Sequence, residues 1–155
     1  MTGFEIVQIV TGLIGSCGFA VLFNIRGKKM LAGALGGGLS WLLLVLLKHV
    51  TESEVIRYFL VAFVISLYAE GMARLFKSPA TTFLMVSLIP LIPGGSLYYT
   101  MASAFARDVG LFLTRASGTV SLTVALALGI VLATALTKLL VNTRNYWRAH
   151  RGEKN

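Results

Sequence analysis

The chain has 155 residues, 56% of them hydrophobic and 13% charged, with a mean hydropathy of +0.80. A soluble domain carries roughly 25% charged residues, so the composition excludes a soluble globular protein and reads as an all-α integral membrane protein. The net charge of +8 does not point to nucleic acid, because the basic residues cluster at the ends of apolar runs, where the positive-inside tendency accounts for them.

The first apolar run, residues 4–23, is long enough to cross a bilayer. Its opening, MTGFEIVQIV, has no basic n-region and no A-x-A-like site follows, so it is expected to remain as a membrane helix and not to be cleaved as a signal. Gly12, Gly15, Ser16 and Gly18 lie along it and permit close approach of a neighbouring helix. The single Cys17 has no partner for an intrachain disulfide or for a metal site, and is expected as a packed small residue. A short basic turn follows, Asn24-Ile25-Arg26-Gly27-Lys28-Lys29.

The second span covers residues 30–47. Gly33, Gly36, Gly37 and Gly38 fill its first half, with Gly33 and Gly37 in a G-x-x-x-G relation, and are expected to pack against other helices. Its second half is nearly all leucine and is expected to face lipid. A phosphate-binding role for the glycines fails, since no Gly-Lys-Ser/Thr follows them. Residues 48–57 form a nearly neutral loop, and the third span, residues 55–76, holds Glu70 and Arg74. Those two lie four residues apart on one helical face, placed either to pair with each other or to flank a solute path.

Lys77-Ser78-Pro79 ends that span, and residues 80–106 form a fourth, broken near 90–95. Pro90 and Pro93 remove backbone donors, and Gly94 and Gly95 permit conformations a helix does not use. Broken backbone at membrane depth persists only where protein buries it or where it lines a polar cavity. It is therefore either a plain kink or turn, or the opened backbone with which transporters hold solute. Tyr98, Tyr99 and Thr100 follow as hydrogen-bonding neighbours, and a half-helix starting near Gly94 and Gly95 would offer its N-terminus to a carboxylate. Residues 107–115 read as a short loop or interfacial helix, residues 118–141 as the fifth span, and residues 142–155 as a basic cytoplasmic tail with Tyr146 and Trp147 suited to the interface.

The loops at 24–29 and 74–78 and the tail are basic, whereas the N-terminus and the 48–57 loop are not. Five crossings with the N-terminus outside and the C-terminus in the cytoplasm satisfy all of these, provided the broken segment crosses once. No enzyme constellation is present: His49 and His150 are isolated, no H-E-x-x-H or G-x-S-x-G occurs, and Glu70 is the only carboxylate well inside a span. Neither a metal nor another cofactor is expected.

Two stretches carry a resemblance. Residues 18–41 read GFAVLFNIRGKKMLAGALGGGLSW and residues 68–101 read YAEGMARLFKSPATTFLMVSLIPLIPGGSLYYTM. Together they resemble the smaller module of the threonine/serine exporter family: a Phe-Asn after the first span, a Gly-rich second span, a lysine–proline turn, and an Ile-Pro-x-x-Pro-Gly break followed by tyrosine. Many members have Pro soon after the Phe-Asn, where this chain has Ile25-Arg26. The resemblance implies the small subunit of a two-component secondary exporter in the cytoplasmic membrane of a prokaryote. Its partner would be a larger membrane subunit, its solutes threonine and serine or a small dicarboxylate such as succinate, and its drive the proton-motive force. The alternatives are a non-transporting scaffold for a larger partner and a homo-oligomeric channel or transporter.

Overall fold

The computed structural model describes residues 3–152, with side chains described through Thr143. Six α-helices account for most of it: α1 (Gly3–Leu22), α2 (Lys28–Lys48), α3 (Glu54–Leu75), α4 (Ala80–Leu88), α5 (Gly94–Phe105) and α6 (Val109–Gly152). One 3-10 turn, Ile89–Leu91, joins α4 towards α5. Among the described residues four helices are long and apolar enough to cross a membrane, or five when the bent α4–α5 pair is counted as one span.

Three helices end in the same way. Asn24, Lys77 and Arg107 take positive φ values of 56°, 47° and 56°. The N–H groups that follow them reach back to helix carbonyls: Ile25 to Ala20 at 2.9 Å, Ser78 to Ala73 at 3.0 Å and Asp108 to Ser103 at 3.2 Å. These are Schellman closures, which satisfy the last carbonyls of α1, α3 and α5 where no helical donor remains. Immediately after the third, Asp108 caps α6: its Oδ1 accepts the Leu111 N–H at 2.9 Å. That cap starts the last helix at Val109, so residues 109–115, expected as a loop or separate interfacial helix, are instead its first two turns. The helix also continues past residue 141 to Gly152. The side chains of Arg144, Tyr146, Trp147, Arg148 and Arg151, and all of Lys154, lie outside the described residues.

Helix α2 is the hub. Gly37 and Gly38 meet Ser16 and Leu13 of α1, while Gly12 of α1 receives the Trp41 ring. On another face Gly33 lies against Val86 of α4, and Gly36 lies against Ser87 and Tyr68. Two side chains bond to the α2 backbone at this close approach: Tyr68 Oη donates to Ala32 O at 2.8 Å and Ser87 Oγ donates to Gly33 O at 3.3 Å. The leucine half does not simply face lipid. Val45 is buried, and Leu39, Leu43, Leu44 and Leu47 pack on a core of Val61, Ile65 and Leu91. Close glycine contacts draw α3 and α4 near enough to cover that half as well.

Helix directions follow from these contacts. Phe83, early in α4, clusters with Ala69 and Ala73, late in α3, whereas Leu91 packs on Val61 and Ile65. Helices α3 and α4 are therefore antiparallel. Gly129 of α6 sits against Phe59 and Ala62, and Thr137 lies by Glu70, so α3 and α6 are parallel. Thr100 meets Thr119 while Arg115 meets Ser103, so α5 is antiparallel to α6. Both halves of the broken segment thus advance in one direction, with a 53° bend between them.

A Cβ at Gly129 would lie 2.6 Å from Phe59 O, a backbone atom that has no room to move. Gly129→Val is expected to lower stability by about 1–3 kcal/mol through overpacking. Gly15→Ala, which meets nothing within 4 Å, is expected to leave it unchanged. Retention of the monodisperse peak after heating detergent-solubilised protein measures both.

Candidate functional site at the broken helix

The break is built from missing donors. Pro90 and Pro93 have no N–H, so the carbonyls of Val86 and Ile89 lose their α-helical partners. The Ile92 N–H takes over Ile89 O at 3.2 Å, closing the 3-10 turn. Pro93 then adopts φ −74°, ψ 58°, and the Gly94 N–H reaches Ile92 O at 2.6 Å. This is an inverse γ-turn. Helix α5 restarts at Gly94 with no side-chain cap, and Leu97 N–H returns to Pro93 O at 3.0 Å. Pro93 is buried and Pro90 half-buried, while Gly94 and Gly95 are exposed with open space where a Cβ would stand.

From there the side chains divide. Tyr98 and Tyr99 are 69% and 58% exposed and touch edge to face, with ring centroids 5.4 Å apart. Thr100 is buried, its hydroxyl 3.1 Å from that of Thr119. Ser96, Tyr99, Thr100 and Ser103 fall on one face of α5, as i, i+3, i+4 and i+7 residues do. Arg115 and Thr119, one turn apart on α6, face them. Arg115 Nη1 donates to Tyr99 O at 3.0 Å and to Ser103 Oγ at 2.9 Å, and its guanidinium carbon stands 5.6 Å from the Tyr99 ring centre. Cation–π and charge-assisted hydrogen bonds thus join α5 to α6.

Beside this contact is an open cavity of about 400 Å³ lined by Ser96, Tyr99, Arg115, Gly118 and Thr119, with Glu54 and Val55 from the start of α3. Glu70 and Arg74 are elsewhere. They form an i,i+4 pair with Nη2 and Oε2 3.6 Å apart, bordering a second cavity of about 580 Å³ with Thr137, Lys138 and Asn142. Along α3 the distance from Glu54 to Glu70 is about 24 Å at 1.5 Å per residue. The structure therefore sets Tyr99 and Thr100 near one end of α3 and Glu70 and Arg74 near the other. Among the described residues, no three His, Cys, Asp or Glu side chains are grouped to hold a metal.

The model of the family described as Threonine/Serine exporter, ThrE, matches residues 8–136. The chain belongs to this family. No curated protein and no solved structure matches it. The exporter family accounts for the type of molecule, a multi-pass membrane transporter, and leaves the site to be read from this chain's own residues. Arg115, Thr119 and Glu54 were not singled out by sequence reasoning. The available signal was Asp108, an N-capping residue one position before an apolar run, which places Arg115 on a helix and not in a loop.

Among the described residues helix α5 packs closely only on α6, so its polar contacts there carry more of its attachment than they would in a fully surrounded helix. Removing Arg115 and Thr119 hydroxyl contacts together, as Arg115→Met plus Thr119→Val, is expected to speed amide hydrogen exchange over residues 94–105 by about tenfold or more. Exchange in the glycine-packed half of α2 should not change.

Proposed function

We propose that this exporter-family chain is the small subunit of a two-component secondary exporter of threonine and serine, which completes its solute path against a larger membrane subunit. The observation that carries this reading is the state of α5. Its exposed face presents Gly94, Gly95, Tyr98 and Met101, and no element among the described residues covers it. Acyl chains suit Met101, but a hydroxyl-bearing ring beside open glycines suits a protein neighbour and a polar solute better. The two cavities also stand at opposite ends of α3, with the buried Val61, Ile65 and Leu91 between them. A path joining them needs a second wall.

The orientation that fits is N-terminus outside and C-terminus in the cytoplasm of a prokaryotic cell. Arg26, Lys28, Lys29, Arg74, Lys77 and Lys138 gather at one end of the bundle with only Glu70 against them, while Lys48, Arg57, Arg107 and Arg115 at the other are balanced by Glu5, Glu52, Glu54 and Asp108. The first end is the cytoplasmic one by the positive-inside tendency. Glu70 and Arg74 then flank the inner mouth and the break opens towards the outer one. With no nucleotide-binding loop in the chain, the proton-motive force is the proposed drive.

Efflux decides it. Cells lacking their own exporters, preloaded with a threonine-containing dipeptide, are expected to release threonine several-fold faster only when this chain and the larger subunit are both present. A protonophore should abolish that release, and succinate followed in parallel reports a dicarboxylate solute. Efflux from this chain alone would overturn the need for a partner. Gly94→Leu plus Gly95→Leu, for which the space is open, should assemble yet lose flux; undiminished flux would leave the chain a scaffold.

A further inference from the structure

We infer that the cavity between α3, α5 and α6 is a subsite for a zwitterionic α-amino acid, with Arg115 receiving the carboxylate and Glu54 the ammonium group. The choice of solute rests on the export reading; the site itself rests on the geometry.

The two poles are single and opposite. Arg115 and Glu54 both line this cavity, and no other charged side chain does. Among the described residues, neither stands in an ion pair with an oppositely charged side chain. Arg115 uses Nη1 on Tyr99 O and Ser103 Oγ, which fixes the guanidinium plane. A guanidinium has five N–H donors in a planar fork, so its remaining donors keep the geometry that a carboxylate accepts in pairs. The Tyr99 ring stands beside it, 5.6 Å from ring centre to guanidinium carbon. Positive charge is held in place by the fold, and the negative pole is the Glu54 carboxylate, in the first turn of α3.

The rest of the lining matches the solute in polarity. Thr119 and Ser96 supply hydroxyls from the facing walls, and Val55 and Leu122 supply apolar surface. Gly118 opens the wall, since a Cβ there would meet nothing within 4 Å. A dicarboxylate would set its second negative group against Glu54, and a cationic solute would set its charge against Arg115. One positive and one negative group in one cavity select the zwitterion. This subsite differs from a carboxylate held by the backbone at the start of α5: there Gly94 N–H is already occupied by Ile92 O.

The test is direct binding to the full purified chain in lipid nanodiscs, read by ligand-observed NMR with L-threonine. Saturable binding is expected. Threonine methyl ester, which lacks the carboxylate charge, and N-acetyl-threonine, which lacks the ammonium, should each bind about tenfold or more weakly, the usual size of losing a charge-assisted hydrogen bond. Gly118→Leu should abolish binding by filling the cavity. Glu54→Gln, at an exposed position with no side-chain hydrogen bond to lose, should weaken threonine while leaving N-acetyl-threonine unaffected. Arg115→Lys should weaken both, while its charge keeps some binding. No binding of threonine, succinate binding as tightly as threonine, or threonine binding unchanged in both Gly118→Leu and Glu54→Gln would each overturn the proposal. Threonine efflux with unaltered binding in those variants sinks the subsite and leaves the export reading standing; binding as expected without efflux does the reverse.

Discussion

A helix that meets Pro90 and Pro93 inside hydrocarbon has two requirements that conflict. It cannot keep its i to i−4 ladder, and it cannot leave the freed groups without partners. The chain resolves this over a few residues, with a 3-10 turn that returns the Ile92 N–H to Ile89 O and an inverse γ-turn that gives the Gly94 N–H to Ile92 O. Both repairs are local, so the break needs little from the surrounding helices beyond burial of Pro93. The bend it introduces is 53°, well short of a reversal. Because the chain continues in the same direction, α6 re-enters the bundle parallel to α3, and every contact at the two mouths follows from that direction.

The break separates two half-helices held by different forces. Helix α4 is gripped by close apolar packing: Phe83 and Val86 are fully buried, Val86 lies against Gly33, and Ser87 bonds to the α2 backbone. In hydrocarbon such packing must come from dispersion and close approach, since lipid is as apolar as leucine. The glycines of α2 supply that approach. Helix α5 has no glycine-lined neighbour of its own. It rests on α6 through Thr100 with Thr119 and through Arg115, while most of its large apolar side chains remain exposed. The half nearer α2 is held by apolar packing, and the other half is the one whose position depends on polar contacts to α6.

The sequence made the crossings legible because apolar length alone marks a span in lipid, and it made the break legible because proline and glycine act locally. Helix ends were harder. Lys77 and Arg107 occupy left-handed positions that usually hold Gly or Asn, and nothing in their chemistry announces a Schellman closure. Asn24 did carry that signal. The leucine half of α2 was misread for a different reason: hydropathy cannot separate a face turned to lipid from one turned to Val61 and Ile65, since both are apolar. Glu70 and Arg74 stand 3.6 Å apart in an i,i+4 relation, and their distance from the break is a property of helix direction, which no local pattern encodes. The partners of Arg115 come from a helix ten to twenty residues upstream, so only the antiparallel turn at Arg107 and Asp108 brings them into register.

The length of α6 explains how a charged cavity is tolerated here. At 44 residues it is about 66 Å long, roughly twice the hydrocarbon thickness, so part of it must lie outside. The apolar stretch after Gly118 is long enough for the membrane, and the turns before it, carrying Arg115, stand level with Glu54 and Val55 at the start of α3. At that depth a guanidinium and a carboxylate keep some hydration, and neither bears the cost of full burial. The cavity at the outer end of the bundle is thus chemically possible in a single chain, whereas a polar route past Val61, Ile65 and Leu91 is not. On the proposed reading, that asymmetry is why an outer subsite is complete in this chain while the path leading to it calls for a second surface.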